Sequence, residues 1–159
     1  MHRKNINGSK KKVAAENRRA RYDYFIENQL ECGMALIGSE VKSLRSGKVS
    51  IAESYACIEN EELWLINSYF PIHSNSISFA HEERRKRKLL VKKKELSRLW
   101  HNTTRDSFTL VPLRIFFNEK GIAKILIAVA KGKKLRDKRE LQKQRDWNKQ
   151  KARLMKEQN

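Results

Sequence analysis

Cysteine, proline and glycine are all scarce in this sequence, with two, two and six residues respectively among 159. The two cysteines, Cys32 and Cys57, follow no CxxC or Cys/His ligand spacing, so we expect small core residues with reduced thiols rather than a disulfide. The four histidines are scattered along the chain without the spacing of metal ligands. The sequence therefore predicts neither a metal site nor a cofactor.

Long hydrophobic runs are also lacking. The longest is ILIAVA at 125–130, which is strand-sized, whereas a membrane span needs ~20 apolar residues. The basic N-terminal run MHRKNINGSKKK has no apolar segment behind it, so it does not have the pattern of a secretory signal. We therefore expect a cytoplasmic protein without a membrane partner.

The motifs of common enzyme active sites do not occur either. The sequence contains no GxSxG or HExxH motif, and GMALIGS at 33–39 has the glycine spacing of a phosphate loop without its lysine. Glu31 and Glu40 are the carboxylates that would form an acid/base pair, but nothing in the sequence places them in a pocket. We expect a binding protein and not an enzyme.

Basic residues, in contrast, are abundant and occur in three blocks. The formal net charge is +18, with +7 in residues 1–21, +8 in 84–94 and +8 in 131–159, while the remainder sums to −5. Basic blocks on an otherwise acidic chain predict contact surfaces for a polyanion, and nucleic acid is the first candidate because lysine and arginine release its condensed counterions. The alternative is that these runs are solvated faces or tails without a specific partner.

The apolar pattern predicts a mainly β domain. Side chains alternate with a period of two from Tyr22 to Met34, and residues 54–70 and 108–132 each predict a hairpin, with turns at 59–61 and 118–121. Pro112 predicts an edge or a bulge in the first strand of the second hairpin. Because closure removes exposed strand edges, such a set favours a six-stranded antiparallel closed barrel of the oligonucleotide-binding type.

Two or three short helices accompany these strands. One is predicted over 40–46 with Ser39 as its N-cap, and another over 92–101. In the first helix, Val41 and Leu44 share one face while Lys42 and Arg45 project away from it. Residues 71–83 are loop-like.

We expect three parts in the chain. Residues 1–16 are too polar to bury apolar surface and predict a disordered basic arm. Residues 17–132 form the RNA-binding β-barrel domain of what we expect to be a monomer. Residues 133–159 form a basic tail with few apolar side chains, which we expect to be disordered in the free protein and helical when bound.

The segment NRRARYDYFIENQLECGMALIGSEVKSLRSGK at 17–48 closely resembles the SsrA-binding protein family, the partners of transfer-messenger RNA. The likeness continues through RKLL at 87–90, the strand at 109–117 and AKGKKLRDKR at 130–139. It implies a barrel of oligonucleotide-binding-like topology that binds the tRNA-like domain of transfer-messenger RNA and rescues stalled ribosomes by trans-translation. The tail would enter the empty mRNA channel of the small ribosomal subunit, at the rRNA of the decoding region, and fold there as a helix.

Carried over position by position, the resemblance implies two sets of contact residues. The RNA-binding set is Asn17, Arg18, Arg19, Arg21, Tyr22, Glu31, Glu40, Lys42, Ser43, Arg45, Lys48, Arg87, Lys88, Leu89 and Leu90. The tail set is Gly132, Lys133, Lys134, Arg136, Asp137, Lys138, Arg139, Trp147, Leu154 and Met155. Family members often carry an aromatic residue or histidine where this chain has Arg136, whose guanidinium plane also stacks.

The residues leave several alternatives open. Tyr22, Tyr24 and Phe25 beside arginines are typical of stacking platforms for RNA bases, whereas alternation in a strand favours a core position for Tyr24 and Ile26. The Glu31 and Glu40 carboxylates either accept hydrogen bonds from base edges or form structural salt bridges. A structural ribosomal protein or rRNA chaperone of the same barrel type is the alternative function, and an RNA nuclease is the third.

Overall fold

The computed structural model describes residues 12–72 and 80–157, so most of the loop predicted over 71–83 lies outside the described residues. Seven strands and four helices occur in this part of the chain. The strands are β1 (Lys12–Glu16), β2 (Tyr24–Met34), β3 (Tyr55–Glu59), β4 (Glu62–Ile66), β5 (Arg87–Leu90), β6 (Thr109–Phe117) and β7 (Ala123–Gly132). The helices are α1 (Ala20–Asp23), α2 (Gly38–Arg45), α3 (Lys93–Arg105) and α4 (Leu135–Glu157).

Six of the strands pair in a ring. The order is β6, β3, β4, β5, β2 and β7, and β7 pairs back onto β6. All of these pairs are antiparallel, which confirms the predicted mainly β, antiparallel fold. In this ring β3 and β4 lie opposite β2 and β7.

Both predicted hairpins are confirmed. The turn between β3 and β4 places Asn60 and Glu61 at φ of 49° and 61°, the left-handed geometry of a two-residue hairpin turn. In the second hairpin, Gly121 has φ of 74°, and the register shifts between Pro112 and Arg114. The predicted bulge at Pro112 is therefore also confirmed.

The core has a large part inside the ring and a small part outside it. The inside is filled by alternate residues of the strands together with Leu44 of α2 and Phe70, which are fully buried. On the outer face of β6 and β7, Val111, Leu113 and Ala128 form a second cluster that Ala20 of α1 covers. This small cluster attaches α1 to the ring.

The N-terminal part of the chain differs from the predicted disordered arm over 1–16. Residues 12–16 form β1, which pairs with β6 from Phe117 to Arg114. The β6 edge beyond its contact with β3 offers unpaired backbone groups, and Ala15 becomes buried when β1 occupies it. Residues 1–11 lie outside the described residues.

In the tail, residues 135–157 form helix α4. The predicted change from a disordered free tail to a helical bound tail stays a prediction. None of the residues of α4 is buried. Local pairs maintain it: Asp137 accepts a hydrogen bond from the Lys134 amide, and the side chains of Arg136 and Glu140 pair one turn apart. No helix in the described part of the chain is long and apolar enough to span a membrane.

Candidate nucleic-acid interface

Three arginines surround the buried anchor of α1. Ala20 is only 1% exposed, and the Asn17 amide donates a hydrogen bond to the Leu113 carbonyl of β6 at 2.8 Å. Asn17 and Ala20 thus fix this segment against the ring, while Arg18, Arg19 and Arg21 remain exposed at the surface. These three guanidinium groups, called the arginine segment below, provide bidentate donors for phosphate.

A small polar pocket lies beside the arginine segment. Its volume is about 130 Å³, and Asn17, Arg18 and Arg21 line it together with Gln29 of β2 and Arg114 of β6. The lining offers amide and guanidinium donors, amide acceptors and the carboxylate of Glu16, and Leu113 and Leu126 add apolar surface. This combination suits the edge of a base or a sugar together with its phosphate.

The pocket continues onto the outer face of β2. Gln29, Glu31 and Gly33 follow one another at intervals of two and therefore share this face. Opposite Gly33, the pairing places Lys124 of β7 on one side and Leu90 of β5 on the other. A Cβ at position 33 would lie 3.2 Å from the Leu90 Cβ, so the missing side chain lets Leu90 cover the strand while it remains 51% exposed.

Helix α2 adds a second basic group. Leu44 is fully buried and Val41 packs against the core, whereas Lys42 and Arg45 are exposed, which confirms the predicted faces. Lys48, just beyond the helix, is exposed as well. Arg45 lies 5.8 Å from the centre of the Phe117 ring, about four residues or 14 Å along β6 from the point where Asn17 is bonded.

Four residues of the predicted RNA-binding set are buried and belong to the core. Ser43 and Arg87 are 0% exposed, and Leu89 is 2% exposed. Glu40 is also 0% exposed, so none of these side chains reaches a ligand at the surface. Helix α2 and strand β5 turn these four side chains inward. Lys88 is half-exposed and pairs with Glu62.

The buried Glu40 carboxylate is held by two arginines. Arg85 donates to both carboxylate oxygens at 2.9 and 2.8 Å, and the Arg87 Nε donates at 3.0 Å. Burial by itself would raise the pKa of Glu40, but hydrogen bonds from Arg85 and the Ile37 amide, with the charge of Arg87, hold this pKa below its usual value. Of the two alternatives for Glu40, the structure shows the salt bridge.

This network connects α2 to the start of β5. The Arg87 guanidinium lies 3.9 Å from the centre of the Phe70 ring and also donates to the Ser68 carbonyl. Because Glu40 accepts from the Ile37 amide at 3.1 Å, it is Glu40, and not the predicted Ser39, that caps α2. Ser39 instead hydrogen-bonds the buried His81 ring at 2.8 Å.

The start of the tail is attached to α1. The Lys133 amide and its ammonium group donate to the carbonyls of Asp23 and Arg21, both at 2.9 Å. Lys138 pairs with the Asp23 carboxylate at 3.0 Å. The half-buried Tyr22 ring lies under Arg145, whose Cζ is 5.5 Å from the ring centre.

The other predicted tail residues are distributed along α4. Gly132 pairs with Tyr24 where β7 ends, and Asp137 caps the helix start. Lys134, Arg136 and Arg139 are exposed. So are the apolar side chains of Trp147, Leu154 and Met155, each more than 60% exposed.

The aromatic residues near the arginine segment divide between surface and core. Phe25 is 54% exposed and lies under Lys133, 4.9 Å from the ring centre. Tyr24 and Ile26 are half-buried and pack against the outer cluster of Val111 and Ala128. The structure thus places Tyr24 and Ile26 in the core alternative and leaves Phe25 available for stacking.

Sequence reasoning missed three residues of this surface, namely Gln29, Arg114 and Lys124. Arg114 and Lys124 are basic residues with apolar neighbours in β6 and β7, at positions where alternation directs the side chain outward. That alternation is the signal that identifies them. The position of Gln29 beside Arg114 depends on strand pairing across β7, which the local sequence does not encode.

In the described part of the chain, no group of three or more His, Cys, Asp or Glu side chains is arranged to hold a metal ion. The described cysteines are both free thiols. Burial of Cys32 in the ring, with the nearby charges of Glu95 and Glu31, raises its pKa to about 12. This thiol is therefore protonated at neutral pH and packs as a small apolar residue, as predicted.

Comparison with known proteins gives a consistent result. A family model described as "SmpB protein" matches residues 14–157 of this chain. An SsrA-binding protein of Ruegeria pomeroyi is 58% identical over 154 residues, covering 97% of this chain and 98% of that protein. An SsrA-binding protein of Paracoccus denitrificans is 60% identical over 146 residues, covering 92% of this chain and 94% of that protein. In a solved structure described as "tmRNA-SmpB: a journey to the center of the bacterial ribosome", one chain is 50% identical with a TM-score of 0.64, covering 76% of this chain and 84% of that one.

Proposed function

The chain belongs to the SmpB protein family, and we propose that it binds the tRNA-like domain of transfer-messenger RNA and delivers this RNA to stalled ribosomes for trans-translation. The observation that carries the proposal is the 50% identity to a chain of a structure described as tmRNA-SmpB at the bacterial ribosome, over 76% of this protein. The relatives named SsrA-binding protein support it over nearly the whole length.

We assign the RNA contact to the surface that begins at the arginine segment. It comprises the polar pocket, the outer face of β2 with Glu31, and the exposed basic residues Lys42, Arg45 and Lys48. Phosphates bind the guanidinium and ammonium groups, which fixes the position of the RNA. Base edges of an unstacked loop then meet Gln29 and Glu31, and an exposed base stacks on Phe25.

The ring of six strands supports this assignment as a closed barrel of the oligonucleotide-binding type. In such a barrel the interior is filled by side chains and the outer faces carry the ligand. The large core lies inside the ring, and the basic residues assigned to RNA lie outside it. No chemical step is assigned to this surface, so the proposed role is that of a binding protein and not an enzyme.

The tail is the part that we assign to the ribosome. Helix α4 extends from β7 without burying any residue, so its side chains are available to a partner. It combines exposed lysines and arginines with the exposed Trp147, Leu154 and Met155. We assign it to the empty mRNA channel of the small subunit, at the rRNA of the decoding region. We also propose that the protein acts in the cytoplasm and as a monomer.

The test is a binding titration of the full chain with RNA corresponding to the tRNA-like domain. Replacing Arg18 and Arg21 together by alanine removes two phosphate donors and should weaken binding at least about tenfold, because hydrogen bonds to charged groups contribute ~1.5–3 kcal/mol each. The control is Arg105→Ala, an exposed arginine at the end of α3 that is not assigned to RNA.

If Arg105→Ala lost as much affinity for the tRNA-like RNA as the double variant, the arginine segment would contribute only non-specific attraction. Failure of the wild-type chain to prefer the tRNA-like RNA over a hairpin of equal length would overturn the proposed function itself.

A further inference from the structure

A groove of about 540 Å³ lies between helix α3 and the tip of the β3–β4 hairpin. Ile58 and Leu96 line its apolar part, and Trp100 forms one wall. This tryptophan is 52% exposed, although its neighbour Leu99 on the same helix is buried in the core. The half-exposed indole and the apolar lining together form one continuous apolar surface that is open to solvent.

Polar groups surround this apolar part. Asn60 and Glu61 lie at the hairpin tip and Lys93 in the first turn of α3. Within the residues that the structure describes, the side chains of these three make no hydrogen bond or ion pair. The positive φ angles of Asn60 and Glu61 fix the turn, and with it the two side chains at the rim of the groove.

Beside the groove, the exposed lysines outnumber the one carboxylate that lines it, that of Glu61. Lys92, Lys93 and Lys94 are all exposed at the start of α3. The acidic residue of this turn, Glu95, is engaged as a cap, because its carboxylate accepts a hydrogen bond from the Lys92 amide at 3.2 Å. A polyanion is therefore the complementary partner.

We propose that this groove binds an unpaired nucleotide of an RNA strand, with the base against the Trp100 indole and the phosphate at Lys93. An aromatic wall beside lysines is the arrangement with which proteins bind single-stranded RNA. The amide of Asn60 and the carboxylate of Glu61 offer hydrogen bonds to the base edge.

The groove is separate from the surface assigned to the tRNA-like RNA. It shares no lining residue with the polar pocket of the arginine segment, and β3 lies opposite β2 in the ring. One molecule can therefore hold the tRNA-like RNA and a second RNA strand at the same time. The simultaneous binding rests on the proposed function, whereas binding in the groove does not.

The experiment is a fluorescence anisotropy titration with labelled hexaadenylate, performed on the free full-length chain and on the chain saturated with the tRNA-like RNA. Hexaadenylate should bind in both cases. Replacing Trp100 by alanine should weaken this binding at least about fivefold, the loss of one stacked base. Trp100→Phe retains an aromatic face and should lose less affinity for hexaadenylate than Trp100→Ala.

Lys93→Gln tests the phosphate contact with a variant whose side chain is exposed. It should lower the slope of log affinity against log salt by about 0.7, the value for one contact to a single strand. The matched control for Trp100→Ala is Tyr55→Ala. Tyr55 is an aromatic residue of β3 that is 47% exposed and does not line the groove. Thermal unfolding of each variant verifies that it is folded.

The groove proposal is wrong if hexaadenylate binds neither the free chain nor the chain saturated with the tRNA-like RNA. It is also wrong if Trp100→Ala binds hexaadenylate as tightly as the wild type does, or if Tyr55→Ala loses as much affinity as Trp100→Ala. A groove that instead accepts an apolar protein segment would give the first of these results. The wild-type chain's affinity for the tRNA-like RNA, measured in the same series, decides the proposed function separately.

Discussion

At the scale of single residues, the decisive feature is the Glu40 carboxylate between Arg85 and Arg87. It is fully buried, and it joins α2 to β5 while it caps the helix. Removing one partner of such a pair leaves an uncompensated buried charge, which costs about 3–5 kcal/mol. Its contribution to the proposed RNA surface is therefore indirect, because it positions the helix that carries Lys42 and Arg45.

Replacing Glu40 by glutamine should lower the free energy of unfolding by about 3–5 kcal/mol at pH 7, because two arginines lose their counterion. The pKa of Glu40 is lowered in the folded state, so this stabilisation is complete above the unfolded pKa of about 4.3 and is lost as the pH falls through the folded pKa. The difference between wild type and Glu40→Gln should thus be constant from about pH 7 to 5.5 and narrow below about pH 4.

Urea unfolding of both proteins across this pH range measures the difference. Glu53→Gln, at an exposed carboxylate, is the control and should change stability by less than about 0.5 kcal/mol. A difference that persists unchanged at pH 3 would show that the carboxylate charge is not the stabilising element.

At the scale of secondary structure elements, α4 is the part with the least support from the rest of the molecule. It is about 34 Å long for its 23 residues. The Lys138–Asp23 pair and the position of Arg145 over Tyr22 attach its first three turns to α1. The remainder carries basic and apolar side chains into solvent, which fits a segment that acts on a partner.

Deleting residues 135–159 should leave specific binding to the tRNA-like RNA largely intact, because the residues assigned to that RNA lie on the ring, α1 and α2. The truncated protein retains Lys133, whose amide donates a hydrogen bond to the Asp23 carbonyl. Tagging of nascent peptides on stalled ribosomes should fail, since nothing would occupy the vacant mRNA channel. A tagging assay together with RNA binding measures both effects.

A tail with residues 141–157 scrambled serves as the matched control, because it keeps the composition and charge but moves Trp147, Leu154 and Met155. We expect it to fail in tagging as well. Normal tagging by the scrambled protein would show that the tail acts only through its charge, and normal tagging by the truncated protein would remove the tail from the mechanism.

At the scale of the whole molecule, the net charge of +18 acts through its exposed part. Arg87, which is buried, and Arg85, which is half-buried, belong to the basic block at 84–94, and both pair with Glu40. The arginine segment, the group on α2, the lysines at 92–94 and most basic residues of the tail remain at the surface. Long-range attraction of RNA therefore comes from fewer positions than the sequence suggests.

Binding of the tRNA-like RNA should depend strongly on salt, with a slope of log affinity against log salt steeper than about 3, since each phosphate contact contributes ~0.7–0.9. Replacing Lys42, Arg45 and Lys48 together by glutamine should reduce this slope by about 2. Titrations at several salt concentrations measure it. A flat response, or an unchanged slope in the triple variant, would contradict the electrostatic assignment.

The sequence by itself determined the character of this protein. Alternating apolar residues and the two turns specified the antiparallel strands and both hairpins, because side-chain period and turn geometry are local properties. The face of α2 with Lys42 and Arg45 followed from helical spacing in the same way. The basic blocks indicated a polyanionic partner, since net charge is additive along the chain.

The tertiary structure decided which of the charged residues are exposed at the surface. Glu40 and Arg87 are 47 positions apart and are buried together only because β5 meets α2. Gln29 and Arg114 come together through strand pairing, and β1 exists because β6 has an edge to receive it. Such placements depend on contacts between distant segments, and local sequence patterns carry no information about them.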